Sequence, residues 1–244
     1  MNITPTMAEA LRIKPAQRLS AAGRERLLSV WGEPLFLADW QRTLMIHYEV
    51  DAGILQRELP FPLDLWEGRA VVSLVAFTMR DMRPRIGGRL AAWLFKPVAT
   101  HGFLNVRTYV NQGGESGICF LTEWLSNRLS VLLGPPLYGL PYRFANIDYR
   151  HEHETGRVKG TVASPGRQGG QLVYEAAIDP DADFQAGTEG SLDEFLLERY
   201  TAFNWRGPAR RFFRVWHPPW RQVAVDVSIL DDSLLTRTWP WFAN

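Results

Sequence analysis

From residue 36 onward, apolar and polar positions follow a strand-like texture, in short runs rich in β-branched and aromatic residues. Residues 44–50 and 70–79 are the clearest runs. Further strands are predicted over 104–110, 117–123, 145–153, 157–163, 171–177, 211–216 and 222–229. Asn111-Gln-Gly-Gly-Glu-Ser116 and Glu154-Thr-Gly156 are turn sequences, which makes hairpins of the strands they join. Helical spacing interrupts in a few places. Residues 51–59 read as a short helix stopped by Pro60 and Pro62, and 127–133 as a second. Ser191-Leu-Asp-Glu194 has capping-box spacing and opens a third, with Leu192, Phe195, Leu196 and Tyr200 at helical intervals. The first 31 residues also read as helical. Thr6-Met-Ala-Glu9 is a capping box, Ser20 can cap a second helix reaching Trp31, and Pro5, Pro15 and Pro34 punctuate the segment.

This pattern predicts an N-terminal helical arm over residues 1–34 and a single, mainly β domain over 35–244. About nine strands with few helices imply a closed or strongly curved antiparallel sheet with flanking helices. The arm is expected to pack on the domain or on a neighbouring subunit, so a homo-oligomer is a possible state.

Composition narrows the function classes. A chain that is 46% hydrophobic and 22% charged buries a full core. A net charge of +1 gives no global field toward nucleic acid or membrane, and neither is expected as a partner. No apolar run reaches the roughly 18 residues of a membrane span, so a soluble, cytoplasmic protein is expected. Cys119 is the single cysteine, which excludes an intrachain disulfide; its apolar setting, Gly117-Ile-Cys-Phe-Leu121, predicts a buried thiol. An arginine-rich stretch over 206–221 and an acidic one over 179–198 imply two solvated faces or a mutual ion-pair network.

Two segments concentrate the candidate chemistry. Gly102-Phe-Leu-Asn-Val-Arg-Thr-Tyr-Val110 and Gly139-Leu-Pro-Tyr-Arg-Phe-Ala-Asn146 each set an arginine beside a tyrosine in an apolar stretch. On a strand Arg107 and Tyr109 point to one face. A guanidinium there needs a carboxylate, from the protein or from a ligand. Glu123, at the end of an apolar strand, could supply it internally to Arg107 or Arg143. Arg199 suits the C-terminal end of the third helix. His217, in His217-Pro-Pro-Trp220, stands at a strand end as an acid or base, or bonded to a backbone carbonyl. His151 and His153 share a strand face but border a turn, which favours exposed hairpin histidines over a metal pair. The dinucleotide, P-loop, serine-elbow and zinc-helix motifs are absent, and no metal or cofactor is implied.

The segments 103–110, Gly117-Ile-Cys-Phe-Leu121 and Tyr138-Gly-Leu-Pro-Tyr-Arg-Phe-Ala145 resemble the uncharacterised DUF2071, or YqjF-like, family. Leu196-Leu-Glu-Arg-Tyr200, His217-Pro-Pro-Trp220, Leu59-Pro60 and the strand ending at Met79 fit the same resemblance, which covers roughly 36–230. It implies a fold similar to acetoacetate decarboxylase: a β-barrel-like sheet around a central cavity. That enzyme uses a Schiff-base lysine activated by an adjacent cation. At the corresponding positions this chain carries Tyr142 and Arg143, neither of which forms an imine, and Lys14, Lys96 and Lys159 offer no substitute. The resemblance therefore implies a cavity for a small organic acid, bound by Arg107, Tyr109, Arg143 and Arg199. Tyr142, Glu123 and His217 would supply lyase- or isomerase-like acid–base chemistry without a cofactor. The alternatives are a non-catalytic ligand-sensing or protein-interaction module, and a structural role for the arginines.

Overall fold

The computed structural model describes residues 15–167 and 169–243. The capping box at Thr6 lies outside them. Helix α1 (Pro15–Leu28) precedes a large sheet built from β1 (Phe36–Val50), β2 (Ala70–Pro84), β3 (His101–Gln112) and β4 (Glu115–Leu125). Helices α2 (Ala52–Arg57) and α3 (Gly88–Ala99) fill the β1–β2 and β2–β3 connections. After β4 come α4 (Arg128–Tyr138), β5 (Tyr142–Phe144), β6 (Asn146–Glu152), β7 (Arg157–Ala163) and β8 (Gln171–Ala177). The chain ends with β9 (Gln185–Ala186), α5 (Leu192–Leu197), β10 (Thr201–Arg206), β11 (Ala209–Arg214), β12 (Arg221–Gln222), β13 (Val227–Asp231) and α6 (Ser233–Thr238).

The large sheet has the order β1-β2-β3-β4-β10-β11, with β5 added beside β4. A second sheet has the order β13-β8-β7-β6. One face of the large sheet, carrying Val72, Leu74, Ala76, Leu104 and Val106, packs on Val158, Val162, Leu172 and Tyr174 of the second. Each buried valine or leucine among them contributes about 2 kcal/mol. Cys119 lies in this layer, and burial raises its thiol pKa. The layers are also tied through a bulge in β1 between Gln41 and Leu44. It offers the Arg42 carbonyl to His151 Nδ1 at 2.5 Å, and His151 Nε2 meets Tyr174 at 2.7 Å. His151 is thus a buried link between sheets, not an exposed hairpin histidine.

Two expectations about the sheet are corrected. Among the described residues no sheet closes into a barrel; β1 and β11 are its two ends. Nor is it purely antiparallel. Beside β4, Ile118 and Cys119 run parallel to β10, while residues 123–125 run parallel to β5.

Local chemistry accounts for the helices. Asp51 caps α2 by accepting from Ile54 N at 2.7 Å, and Asn127 caps α4 by accepting from Ser130 N at 2.9 Å. At α5, Ser191 accepts from Glu194 N at 3.2 Å, and Glu194 accepts from Gly190 N at 2.8 Å. Helix α5 stops at Leu197, so Tyr200 leaves the expected helical stripe and opens β10's approach. Ser20 is interior to α1 rather than a cap; its hydroxyl donates to the His217 carbonyl at 2.9 Å. Trp216 Nε1 donates to the Ser20 carbonyl at 3.1 Å. A Cβ on Gly23 would lie 2.5 Å from the Tyr200 ring, so only glycine lets α1 sit this close.

Candidate functional site

The second face of the large sheet carries the polar groups. Strand alternation puts Phe103, Asn105, Arg107 and Tyr109 of β3 on it, beside Ser73, Val75 and Phe77 of β2. From β4 come Ile118, Phe120 and Glu123, from β1 Met45 and His47. Leu196 and Leu197 of α5 cover one part, and Trp40, Trp220 and Tyr142 flank another. The candidate residues therefore lie between a sheet face and its covering segments, not in the central barrel cavity expected from sequence; the surface cavities lined by Ala21, Arg24 and Leu28 and by Asp148, Arg150 and Lys159 do not include them.

Arg107 is 5% exposed. Its Nη2 donates to the Leu196 carbonyl at 3.1 Å and lies 3.9 Å from Met45 Sδ. Its Nε has no protein partner, and among the described residues no carboxylate stands within ion-pair distance of it. Tyr109, fully buried, donates to the same carbonyl at 3.2 Å. Because that bond uses the tyrosine's one hydrogen, Ser73 must donate to Tyr109 across their 2.7 Å contact, and His47 Nδ1 must donate to Ser73 across another 2.7 Å. The relay runs His47, Ser73, Tyr109, Leu196 and leaves the His47 Nε2 lone pair unprotonated. Burial and the Arg107 charge both lower the His47 pKa. His47 as a whole residue remains partly open to solvent on β1.

Glu123 is 4% exposed and receives one hydrogen bond, from Asn105 Nδ2 at 3.3 Å. Its other oxygen and Asn105 Oδ1 have no protein partner. Burial raises its pKa to about 8, so the carboxyl is protonated at neutral pH. Tyr142 is paired with Glu123 in the β4–β5 register, and its ring lies against Gly134 of α4 and edge-on to Phe103. Burial, then Glu123, holds its phenol well above the ordinary value, so it acts only as a neutral donor.

His217 stacks on Tyr200 (4.7 Å) and meets Trp220 at a tilt (5.2 Å), with Nδ1 2.8 Å from the Pro218 carbonyl. Burial, with the Arg107 charge adding to it and the Pro218 carbonyl opposing it, lowers its pKa to about 4, so the imidazole is neutral. Glu198 accepts from Tyr200 and from Trp220 N (3.0 Å), fixing this segment from below.

Two expected binding residues stand elsewhere. Arg143 alternates away from Tyr142 on β5 and is exposed, so it does not share a clamp with Arg107. Arg199 is buried but already matched: its Nη1 meets Asp64 at 2.7 Å, its Nε donates to the Phe195 carbonyl at 2.6 Å, and it lies 5.3 Å from the Tyr109 ring centre. Arg199 thus braces Tyr109. Lys96 is exposed on α3, and Lys159 pairs with Glu175 at 2.6 Å; Lys14 lies outside the described residues. Sequence reasoning passed over His47, Ser73 and Asn105. The signal for His47 was weak: it interrupts the apolar run Leu44-Met-Ile46 of β1, but Glu49 follows it on the same face.

Residues 37–239 match the model of DUF2071, described as an uncharacterized conserved protein. The chain belongs to the DUF2071 family. It is 28% identical over 204 residues to the uncharacterized protein YqjF of Bacillus subtilis (strain 168), covering 80% of this chain and 79% of that one. Among solved structures it is similar to the enduracididine biosynthesis enzyme MppR complexed with pyruvate, at 15% identity, TM-score 0.54, and 81% and 77% coverage. This likeness shows the shared fold. The acetoacetate decarboxylase of Legionella pneumophila subsp. pneumophila strain Philadelphia 1 aligns at 17% identity and TM-score 0.47, over 66% of this chain. This chain spans 55% of that protein's length. Helix α1 precedes the matched DUF2071 region.

Proposed function

We propose that this DUF2071 protein binds a small carboxylate-bearing metabolite on Arg107 and performs acid–base chemistry on it without an imine. The observation that carries this reading is Arg107 itself, a buried cation with no protein carboxylate and an unpartnered Nε. Burying an isolated charge costs several kcal/mol, and a ligand carboxylate offsets that cost with paired, charge-assisted hydrogen bonds. The flanking groups suit proton transfer. His217 and His47 are neutral imidazoles, and His47 offers a lone pair at Nε2. Glu123 is a neutral acid, so at neutral pH its role is donor rather than the base expected from sequence. Tyr142 adds a second neutral donor. A base and an acid on either side of an anion site fit proton removal beside a carbonyl and proton return elsewhere, the step common to lyases and isomerases.

A solved fold neighbour holds pyruvate, which makes small keto acids the first probes. The test is a thermal-shift screen of keto and hydroxy acids on wild type and Arg107→Ala. Stabilisation of about 1 kcal/mol or more in wild type alone supports the proposal. Equal shifts in both proteins, or none, count against it.

A further inference from the structure

Helix α3 faces the wrong way for a soluble protein's surface helix. Phe95, on its inward side, packs on Phe36 (5.5 Å), and no residue of the helix is fully buried. Its outward stripe is apolar: Leu90, Trp93 and Leu94 are 69%, 68% and 62% exposed, and Ile86 just before it is 70% exposed. The patch continues onto α4, which touches α3 and exposes Leu132 (69%) and Leu137 (61%). Surface helices normally turn such a stripe toward the core, and contiguous exposed patches of this kind mark docking surfaces.

Charge identifies the occupant. The sequence has no Asp or Glu from Met82 to Gly114 or from Trp124 to Ile147. Over the same stretches Arg85, Arg89, Lys96 and Arg128 are exposed. The acids at its edge are Asp81, at the end of the first stretch, and Glu33, in the segment whose Gly32 and Pro34 carbonyls Arg85 bonds. The patch is therefore apolar with a cationic rim, although the whole chain carries only +1. Two copies meeting through this face would bring their cations together, which disfavours a symmetric dimer. A nucleic acid would match the cations but leave the aliphatic Ile and Leu side chains without an apolar counterpart. A bilayer with anionic headgroups satisfies both: Leu and Trp enter the headgroup–acyl boundary while Arg and Lys meet lipid phosphates. We infer that the α3–α4 face docks on an anionic lipid surface, lying on the membrane rather than crossing it. No helix of the described residues is long and apolar enough to cross one. This inference stands independently of the Arg107 site.

The experiment is flotation of the full chain with vesicles of phosphatidylcholine alone and of phosphatidylcholine mixed with phosphatidylglycerol. Binding is expected only to the mixed vesicles and is expected to weaken at high salt. Each cation near an anionic surface is worth about fivefold in affinity, so Arg85→Glu/Arg89→Glu/Lys96→Glu is expected to bind at least about a hundredfold more weakly. Trp93→Ser/Leu94→Ser, made at exposed positions, is expected to lose binding while keeping the wild-type unfolding midpoint. Equal partition to both vesicle types, or to neither, overturns the inference. So does concentration-dependent self-association abolished by Trp93→Ser/Leu94→Ser, or retention of an RNA oligonucleotide with no vesicle binding.

Discussion

Arg107 and Glu123 project from neighbouring strands onto one sheet face, both buried, and do not pair. Asn105 stands between them in the register and bonds Glu123 at 3.3 Å. A protein built only for stability would join these charges or replace them with apolar groups, since an unpaired buried ion is costly. Keeping a cation without its counter-ion and a carboxyl without its charge leaves both ready for a third party.

Replacing Glu123 by glutamine tests the protonation state. The folded pKa of about 8 lies above the ordinary value of 4.5, so between those pH values the folded chain holds a proton that the unfolded chain has released. Wild-type stability therefore falls as pH rises through this window, by about 1.4 kcal/mol per pH unit at most from this group. Glu123→Gln cannot titrate. Urea titrations at a series of pH values are expected to show the variant matching wild type near pH 4.5 and gaining on it toward pH 8. A constant gap would contradict a neutral Glu123.

His217 imposes the opposite slope on the acid side. Its folded pKa of about 4 lies below 6.5, so the unfolded chain binds the extra proton in between, and stability falls as pH drops from 6.5 toward 4. His217→Gln is expected to flatten the pH dependence of the unfolding midpoint over that interval.

The Arg199–Asp64 pair braces the site from one side, with Arg199 7% and Asp64 21% exposed. Asp64→Asn strands a buried guanidinium and is expected to cost about 3 kcal/mol in denaturant unfolding. Arg199→Met with Asp64→Leu removes both charges and is expected to recover much of that loss. If the double variant were no better than Asp64→Asn, the pair would be more than a local counter-ion contact.

Gly134 sets how closely Tyr142 approaches α4, because an added Cβ would overlap the ring. Gly134→Ala is expected to displace Tyr142 and cost about 2 kcal/mol, seen as a lower unfolding midpoint. The same substitution at Gly113, in an open turn with φ +62° and nothing near its Cβ position, bears only backbone strain and is expected to cost less.

How much of this was legible in the sequence follows from what each signal depends on. Alternation over 104–110 and 117–123 gave both strands and put Arg107 and Tyr109 on one face, because that pattern is local. The cap at Ser191 was equally local and correct. The end of α5 was not: Leu192, Phe195, Leu196 and Tyr200 fit a helical stripe, but Tyr200 is buried by α1, which no nearby residue reveals. Helix α3 was missed because its apolar stripe faces outward, two glycines, Gly87 and Gly88, open it, and Pro97 lies inside it. Arg143 was read as Arg107's partner from a matching Arg–Tyr texture; on β5 the tyrosine takes the inward position and the arginine alternates outward. Closure of the sheet was not legible because it depends on whether the end strands β1 and β11 meet, and they do not. His47 was passed over because its relay depends on Ser73, which becomes its neighbour only through the β1–β2 register.

The central claim, that Arg107 is held for a ligand carboxylate, is tested most directly by calorimetric titration and thermal unfolding of wild type, Arg107→Met and Arg143→Met with pyruvate and the best acid from the screen. The account expects wild type and Arg143→Met to bind and to be stabilised. Arg107→Met is expected to be as stable as wild type or more so when empty, because a buried unpaired cation is gone, and to gain nothing from the acid. Undiminished binding by Arg107→Met, or loss of binding in Arg143→Met alone, would contradict it.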